Sequence, residues 1–211
     1  MARTRATDYD DKRRAILDRS AELFAAHGYD RASMNKIAAA CGFTKANLYH
    51  YYSDKEELLF DVIRFHLEEL LDVVEAADTP GLSPEDRLRA LVGALLEAYR
   101  DADAQHKVQI NNLGLLPPNR QAELKDMERE LVRTFADAVT GVAPQLHGTT
   151  LLKPVTMSLF GMINWHYLWF KPIGQISRRE YAELVTQLIV DGTRNVVARE
   201  SRRSPQVTAA E

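Results

Sequence analysis

Between Thr44 and Lys55 the chain gathers side chains suited to gripping a nucleic acid: Thr44, Lys45, Asn47, Tyr49 and His50 in quick succession, then Lys55. Thr44 offers a hydroxyl at a helix start, where free backbone N–H groups meet an anion such as phosphate. Lys45 is of a type and position to reach a guanine O6 or N7, or a phosphate; Asn47 can read an adenine if it faces the major groove. Tyr49 and His50 have apolar bodies with polar tips, suited to thymine methyls and phosphate oxygens. Each of these polar residues has a plainer alternative as part of a solvated face, whereas Leu48 and Tyr52 are packing residues.

A second concentration of chemistry lies in GMINWHYLWFKPIG, which places Asn164, Trp165, His166, Tyr167, Trp169 and Phe170 within seven residues. Aromatics so close together build a core, a subunit interface, or a pocket wall with Asn164 and His166 as polar handles. Catalytic signatures are missing from the sequence: there is no Gly-rich phosphate loop, G-x-S-x-G or HExxH. His27, His50, His66, His106, His147 and His166 are scattered without ligand spacing, and Cys41 stands alone. No enzyme activity, metal or cofactor is expected.

The elements that must position these residues are helical. Ser33 caps a short run from Met34 to Cys41, Gly42 ends it in the left-handed conformation, and Thr44 caps a second short helix. Ser53 and Glu56 have the spacing of a capping box opening a third helix of about 25 residues. Two short helices around a glycine turn, the second polar and free of acids, describe a helix-turn-helix. An earlier helix, Asp10 to His27, carries Ile16, Leu17, Ser20, Leu23 and Phe24 at helical spacing, and residues 1–9 form a polar tail whose Arg3 and Arg5 could reach a DNA backbone. Beyond Thr79-Pro80-Gly81, helices are expected from Ser83, from Gln105 to Leu113, from Arg120 to Thr140, from Leu151 to Phe170 and from Ser177 to about Arg199. On the Leu151–Phe170 helix, Trp165 and Trp169 share a stripe with Met162. The expected architecture is all-α: a three-helix head over residues 10–54 and a roughly six-helix ligand-binding and dimerisation body over 55–203.

The run KIAAACGFTKANLYHYYSDKEELL, preceded by ILDRSAELFAAHGYDRASM, resembles the DNA-binding head of the TetR family of bacterial repressors. The likeness covers residues 11 to 60 and rests on a compound pattern of FAAHGY, AxxCGF and LYHYYxxKEEL. It implies that Tyr49, His50 and Lys55 grip the DNA backbone and that Ser33 and Lys36 flank the groove. Ala46 and Tyr52 are mild departures from the family pattern. The segment around Asn164 is more loosely similar to the bodies of family members that respond to acyl-CoA thioesters of fatty acid, aromatic acid or steroid breakdown. That likeness implies an effector held by Lys107, Asn164, Trp165, His166, Trp169 and Phe170, with Arg120 and Lys171 as further basic residues by type. A regulator of efflux or detoxification that takes an uncharged hydrophobic compound is the alternative, as is a DNA-binding protein with no effector.

Charge supports a DNA-facing head. Residues 1–55 hold ten Lys/Arg against seven Asp/Glu, the remainder seventeen against twenty-three, within an overall charge of −3. A basic end on an acidic body orients the head toward a polyanion. One head makes too few phosphate contacts for tight binding, so a homodimer reading a palindromic operator is expected, joined through the apolar last two long helices. One cysteine, no apolar run of membrane-spanning length and no secretory signal fit a cytoplasmic protein without a membrane partner.

Overall fold

The structure is a computed structural model. It describes the backbone of residues 2–171 and 173–201 and the side chains of 9–171 and 173–194. The side chains of Arg3 and Arg5, the helix-closing Pro172 and the chain from 202, including the end of the expected body at 203, lie outside the described residues.

Nine α-helices occur among the described residues, with four short 3-10 turns and no strand. They are α1 Ala2–His27, α2 Met34–Ala40, α3 Lys45–Tyr49, α4 Lys55–Ala77, α5 Pro84–Ala98, α6 Asp103–Asn112, α7 Pro118–Val142, α8 Leu152–Asn164 and α9 Arg178–Ser201. The all-α expectation holds, and most boundaries follow local chemistry. Gly42, at φ 69, closes α2. Its N–H donates to the Ala39 carbonyl and that of Phe43 to Ala38, so two end carbonyls are satisfied in a Schellman turn.

Three expectations are corrected. α1 starts at Ala2, so residues 2–9 continue the helix rather than forming a tail. The α4 cap is shifted by one residue. Asp54 Oδ1 accepts from the Glu57 N–H (2.8 Å), and Glu57 Oε2 accepts from both the Ser53 N–H and hydroxyl (2.7 Å each). Glu56 instead pairs with Arg120 at 3.2 Å. The helix expected to reach Phe170 stops at Asn164, because the Trp165 N–H and the His166 ring both turn to the Ile163 carbonyl, taking the acceptor the next helical turn needs. Trp165 and Trp169 are therefore not on one helical stripe.

The chain divides into two compact units, Met1–Leu70 with Tyr99–Glu128, and Leu71–Ala98 with Arg129–Glu211. In the first, α2 and α3 pack on each other, α2 packs on α1, and α6 runs along α1. Ile16, Leu17, Ala21 and Phe24 bury one face of α1, and Ser20 joins that face by donating to the Ile16 carbonyl (2.6 Å). Arg13 ties α1 to α4 by pairing with Asp61 and donating to the Tyr52 hydroxyl (3.2 Å), while Arg64 braces Asp61 from the next turn (3.2 Å). In the second unit, α5, α8 and α9 pack together around Leu88, Leu91, Leu95, Leu159 and Val185. Phe135 of α7 meets Phe160 of α8 edge-to-face at 5.0 Å.

Candidate functional site

α3 is five residues long and is held at both ends. Thr44 Oγ1 accepts from the Asn47 N–H (3.2 Å), and Leu48, fully buried, anchors the helix in the core. Thr44, Lys45, Asn47, Tyr49 and His50 stay exposed on the same short helix and its cap. Lys45 Nζ lies 5.6 Å from the Tyr49 ring centroid, a cation over an aromatic face that leaves its N–H groups able to meet an acceptor. The remaining residues of the expected DNA surface have local duties as well. Ser33 Oγ accepts from the Lys36 N–H (3.3 Å), and Lys36 Nζ donates to the Arg31 carbonyl (3.0 Å). Lys55 donates to the carbonyls of Tyr29 (2.8 Å) and Ala32 (3.1 Å) and lies 4.0 Å from the Tyr29 ring centroid. Two of its three ammonium hydrogens thus hold the loop before α2, leaving one for an outside acceptor.

Cys41 sits at the end of α2 and is half-buried rather than sealed in the core. Burial pushes its thiol above the ordinary value, with Arg19 acting in the opposite direction. A thiol held in its protonated form is the reverse of what a reactive sensor cysteine needs.

The residues expected around an effector divide between the two units. Lys107 is exposed on α6, in the first. Asn164, Trp165, His166, Trp169 and Phe170 lie together at the end of α8 and its 3-10 turn, in the second. His166 is buried with Nδ1 3.1 Å from the Ile163 carbonyl, so that nitrogen is engaged within the turn. Trp165 lies beside Tyr167 (6.3 Å), and Trp169 meets Tyr181 of α9 edge-to-face (4.9 Å). Both tryptophans remain about half exposed. Arg178 lies 4.6 Å over the Phe170 ring. Arg120, a basic residue by type in the sequence reading, is engaged with Glu56 and the Phe60 ring (5.1 Å).

One cluster is invisible in the sequence. His66 of α4 and His106 of α6 bring their rings to 5.9 Å, with Tyr99 4.3 Å from His106, and all three are buried. His66 Nε2 has no hydrogen-bond partner among the described residues, and burial, with His106 second, pushes the imidazole down to about 3. It is a neutral polar group in an apolar setting.

Comparison with known proteins gives this geometry its context. Residues 16–62 match the model for bacterial regulatory proteins of the tetR family, and residues 81–193 match a tetracyclin repressor-like C-terminal domain. The chain belongs to the TetR family. It is a transcriptional regulator with a helix-turn-helix head. A TetR-family regulator from Bordetella parapertussis is 35% identical, with a TM-score of 0.80, over 87% of this chain and 96% of that one. AibR, solved with isovaleryl coenzyme A and operator DNA, is 28% identical with a TM-score of 0.73, over 85% of this chain and 98% of that one. The transcriptional repressor KstR2 of Rhodococcus jostii is 24% identical over 86% of this chain and 90% of its own length. The transcriptional activator FasR of Mycolicibacterium smegmatis is 29% identical over 55% of this chain, and the match spans about half (53%) of that protein. No helix among the described residues is long and apolar enough to cross a membrane.

Proposed function

We propose that this TetR-family chain is a repressor that binds a palindromic operator as a homodimer and leaves it when a small effector binds. The head at 10–54 reads the DNA through Thr44, Lys45, Asn47, Tyr49 and His50, with Ser33, Lys36 and Lys55 at its margins. The observation that carries this reading is α3 itself. A five-residue helix and its two capping residues together expose five hydrogen-bonding side chains while one leucine anchors them, which suits insertion into a groove rather than packing in a core.

The body over 55–203 holds the effector and the partner subunit. α8 and α9 leave Met157, Leu184 and Leu188 about half exposed, apolar surface that a second copy would cover. The effector is an acyl-CoA thioester of fatty acid, aromatic acid or steroid catabolism, with Asn164, Trp165, Trp169 and Phe170 on its apolar part. His166 acts within the turn that presents them. The match to AibR, whose solved complex contains a coenzyme A thioester and operator DNA, supports this effector class.

Release couples effector binding to the head. α4 runs directly on from the head, and α6 lies along α1, where Gln105 Nε2 donates to Asp18 (3.0 Å). A coupling of about 1–3 kcal/mol would weaken operator binding by roughly 5- to 150-fold. The test is binding of the purified protein to its own upstream intergenic DNA, repeated with a panel of acyl-CoA thioesters. Tight, salt-sensitive binding released by one ester class is expected. Tight binding that no ester releases would remove the thioester assignment and leave the DNA assignment standing.

A further inference from the structure

The early start of α1 changes the surface around α3. The Tyr9 ring stacks on Tyr51 at 4.8 Å with planes 22° apart, and Tyr51 in turn lies parallel to Phe43 at 6.2 Å and 20°. Three rings thus run from α1 to the turn that introduces α3, beside the residues of the DNA face. Next to them is a cleft of about 330 Å³ lined by Tyr9, Lys12, Phe43, Asn47, His50 and Tyr51. Its polar lining residues are Lys12, Asn47, His50 and the two tyrosines, so an ammonium, a carboxamide and an imidazole stand beside two phenol hydroxyls, and no carboxylate lines it. Two of those groups, Asn47 and His50, come from the α3 face, whereas Lys12 comes from a helix outside the helix-turn-helix.

We propose that this cleft seats a backbone phosphate of the operator duplex, with Lys12 as its cation and the Tyr9–Tyr51 stack as the wall that holds α1 against α3. The inference rests on the DNA-binding reading and adds Tyr9 and Lys12 to the residues that carry it. The chemistry fits a phosphate diester. An ammonium and an imidazole donate to its oxygens, the Asn47 amide donates beside them, and the flat ring faces receive the adjoining sugar. Such a contact fixes register and adds affinity without reading a base, so it acts on every DNA sequence alike.

The experiment compares full-length wild type, Lys12→Gln, Tyr9→Ala and Tyr9→Phe for binding to the operator and to a scrambled duplex across a salt series. Circular dichroism melts check each fold. Removing one phosphate contact should make the slope of log affinity against log salt shallower by about 0.9, and weaken binding about 5-fold near 0.15 M salt. Lys12→Gln should show this loss equally on both duplexes. Tyr9→Ala should weaken binding in the same direction, and Tyr9→Phe, which keeps the stack, should not. If Tyr9→Ala melts early, Lys12→Gln alone decides, because Lys12 is exposed and outside the core. Wild-type slope and affinity in Lys12→Gln, with wild type binding tightly, overturn the inference and leave the regulator reading intact. If wild type binds no DNA at all, the regulator reading falls and takes this inference with it.

Discussion

Leu48 carries a requirement of the proposed DNA face that none of the residues proposed to meet DNA can supply themselves. A five-residue helix is too short to stand without tertiary support, and Leu48 is its one fully buried side chain. Leu48→Ala should cost roughly 2–5 kcal/mol in urea unfolding and weaken operator binding, although Leu48 lies in the core and not on the DNA face. His66 makes a second prediction. Its folded value of about 3 lies below the roughly 6.5 of an unfolded histidine, so below pH 6.5 the unfolded chain binds the extra proton. The stability associated with neutral His66 is fully present above that pH and is lost as pH falls toward 3. Between pH 6.5 and 5.5, where most carboxylates stay ionised, melting temperature should fall in wild type and fall less in His66→Gln. Equal slopes in the two proteins would show that His66 is not the group responsible. The residues differ in how legible they were. Ser33, Gly42 and Thr44 act on backbone groups within a few residues, so type and spacing identify their capping roles. His66 and His106 stand forty residues apart and meet only through the packing of α4 and α6, which no local spacing encodes.

Elements inherit their ends from such local contacts, and the ends that depart from the sequence pattern are those where near-equivalent residues compete. Ser53, Asp54, Glu56 and Glu57 offer two overlapping caps: Asp54 accepts the Glu57 N–H, the Glu57 carboxylate reaches back to Ser53, and Glu56 turns to Arg120. The aromatic run after Met162 has helical periodicity, but a histidine ring reaching back to Ile163 ends α8 there, and periodicity alone cannot foresee a side chain displacing the ladder. At Ser177 the chemistry has no rival. Ser177 Oγ accepts from the Glu180 N–H (3.2 Å) and Glu180 Oε2 accepts from the Ser177 N–H (2.7 Å). Ser177→Ala should cost about 0.5–2 kcal/mol, read as a lowered melting temperature, and Ser177→Asp much less. Between α1 and α4, Asp61 is the buried member of its network and Glu69 an exposed partner of Arg14. Asp61→Ala, which leaves Arg13 without its carboxylate, should destabilise by about 1–3 kcal/mol. Glu69→Ala should cost no more than about 1 kcal/mol. A reversed order in chemical denaturation would mean that the Arg13–Asp61 tie does not hold these helices together.

For the whole molecule, the exposed apolar side chains of α8 and α9 carry the expectation of a two-fold assembly. Replacing Leu184 and Leu188 together by Glu should convert the proposed dimer to a monomer in sedimentation and lower operator affinity, with helicity retained. A variant that remains dimeric would place the interface elsewhere. The head's family likeness was legible in the sequence because its pattern is continuous. The compact unit around it was not, because that unit draws on residues 1–70 and 99–128 with another segment between. That discontinuity has a consequence for engineering. A hybrid regulator made by splicing residues 1–54 onto a foreign sensor would strip α1 of the α6 surface and of the Gln105–Asp18 bond. The natural exchange cassette is therefore two stretches of chain rather than one, and a graft that transplants both should retain operator recognition where the single-cut chimera loses it.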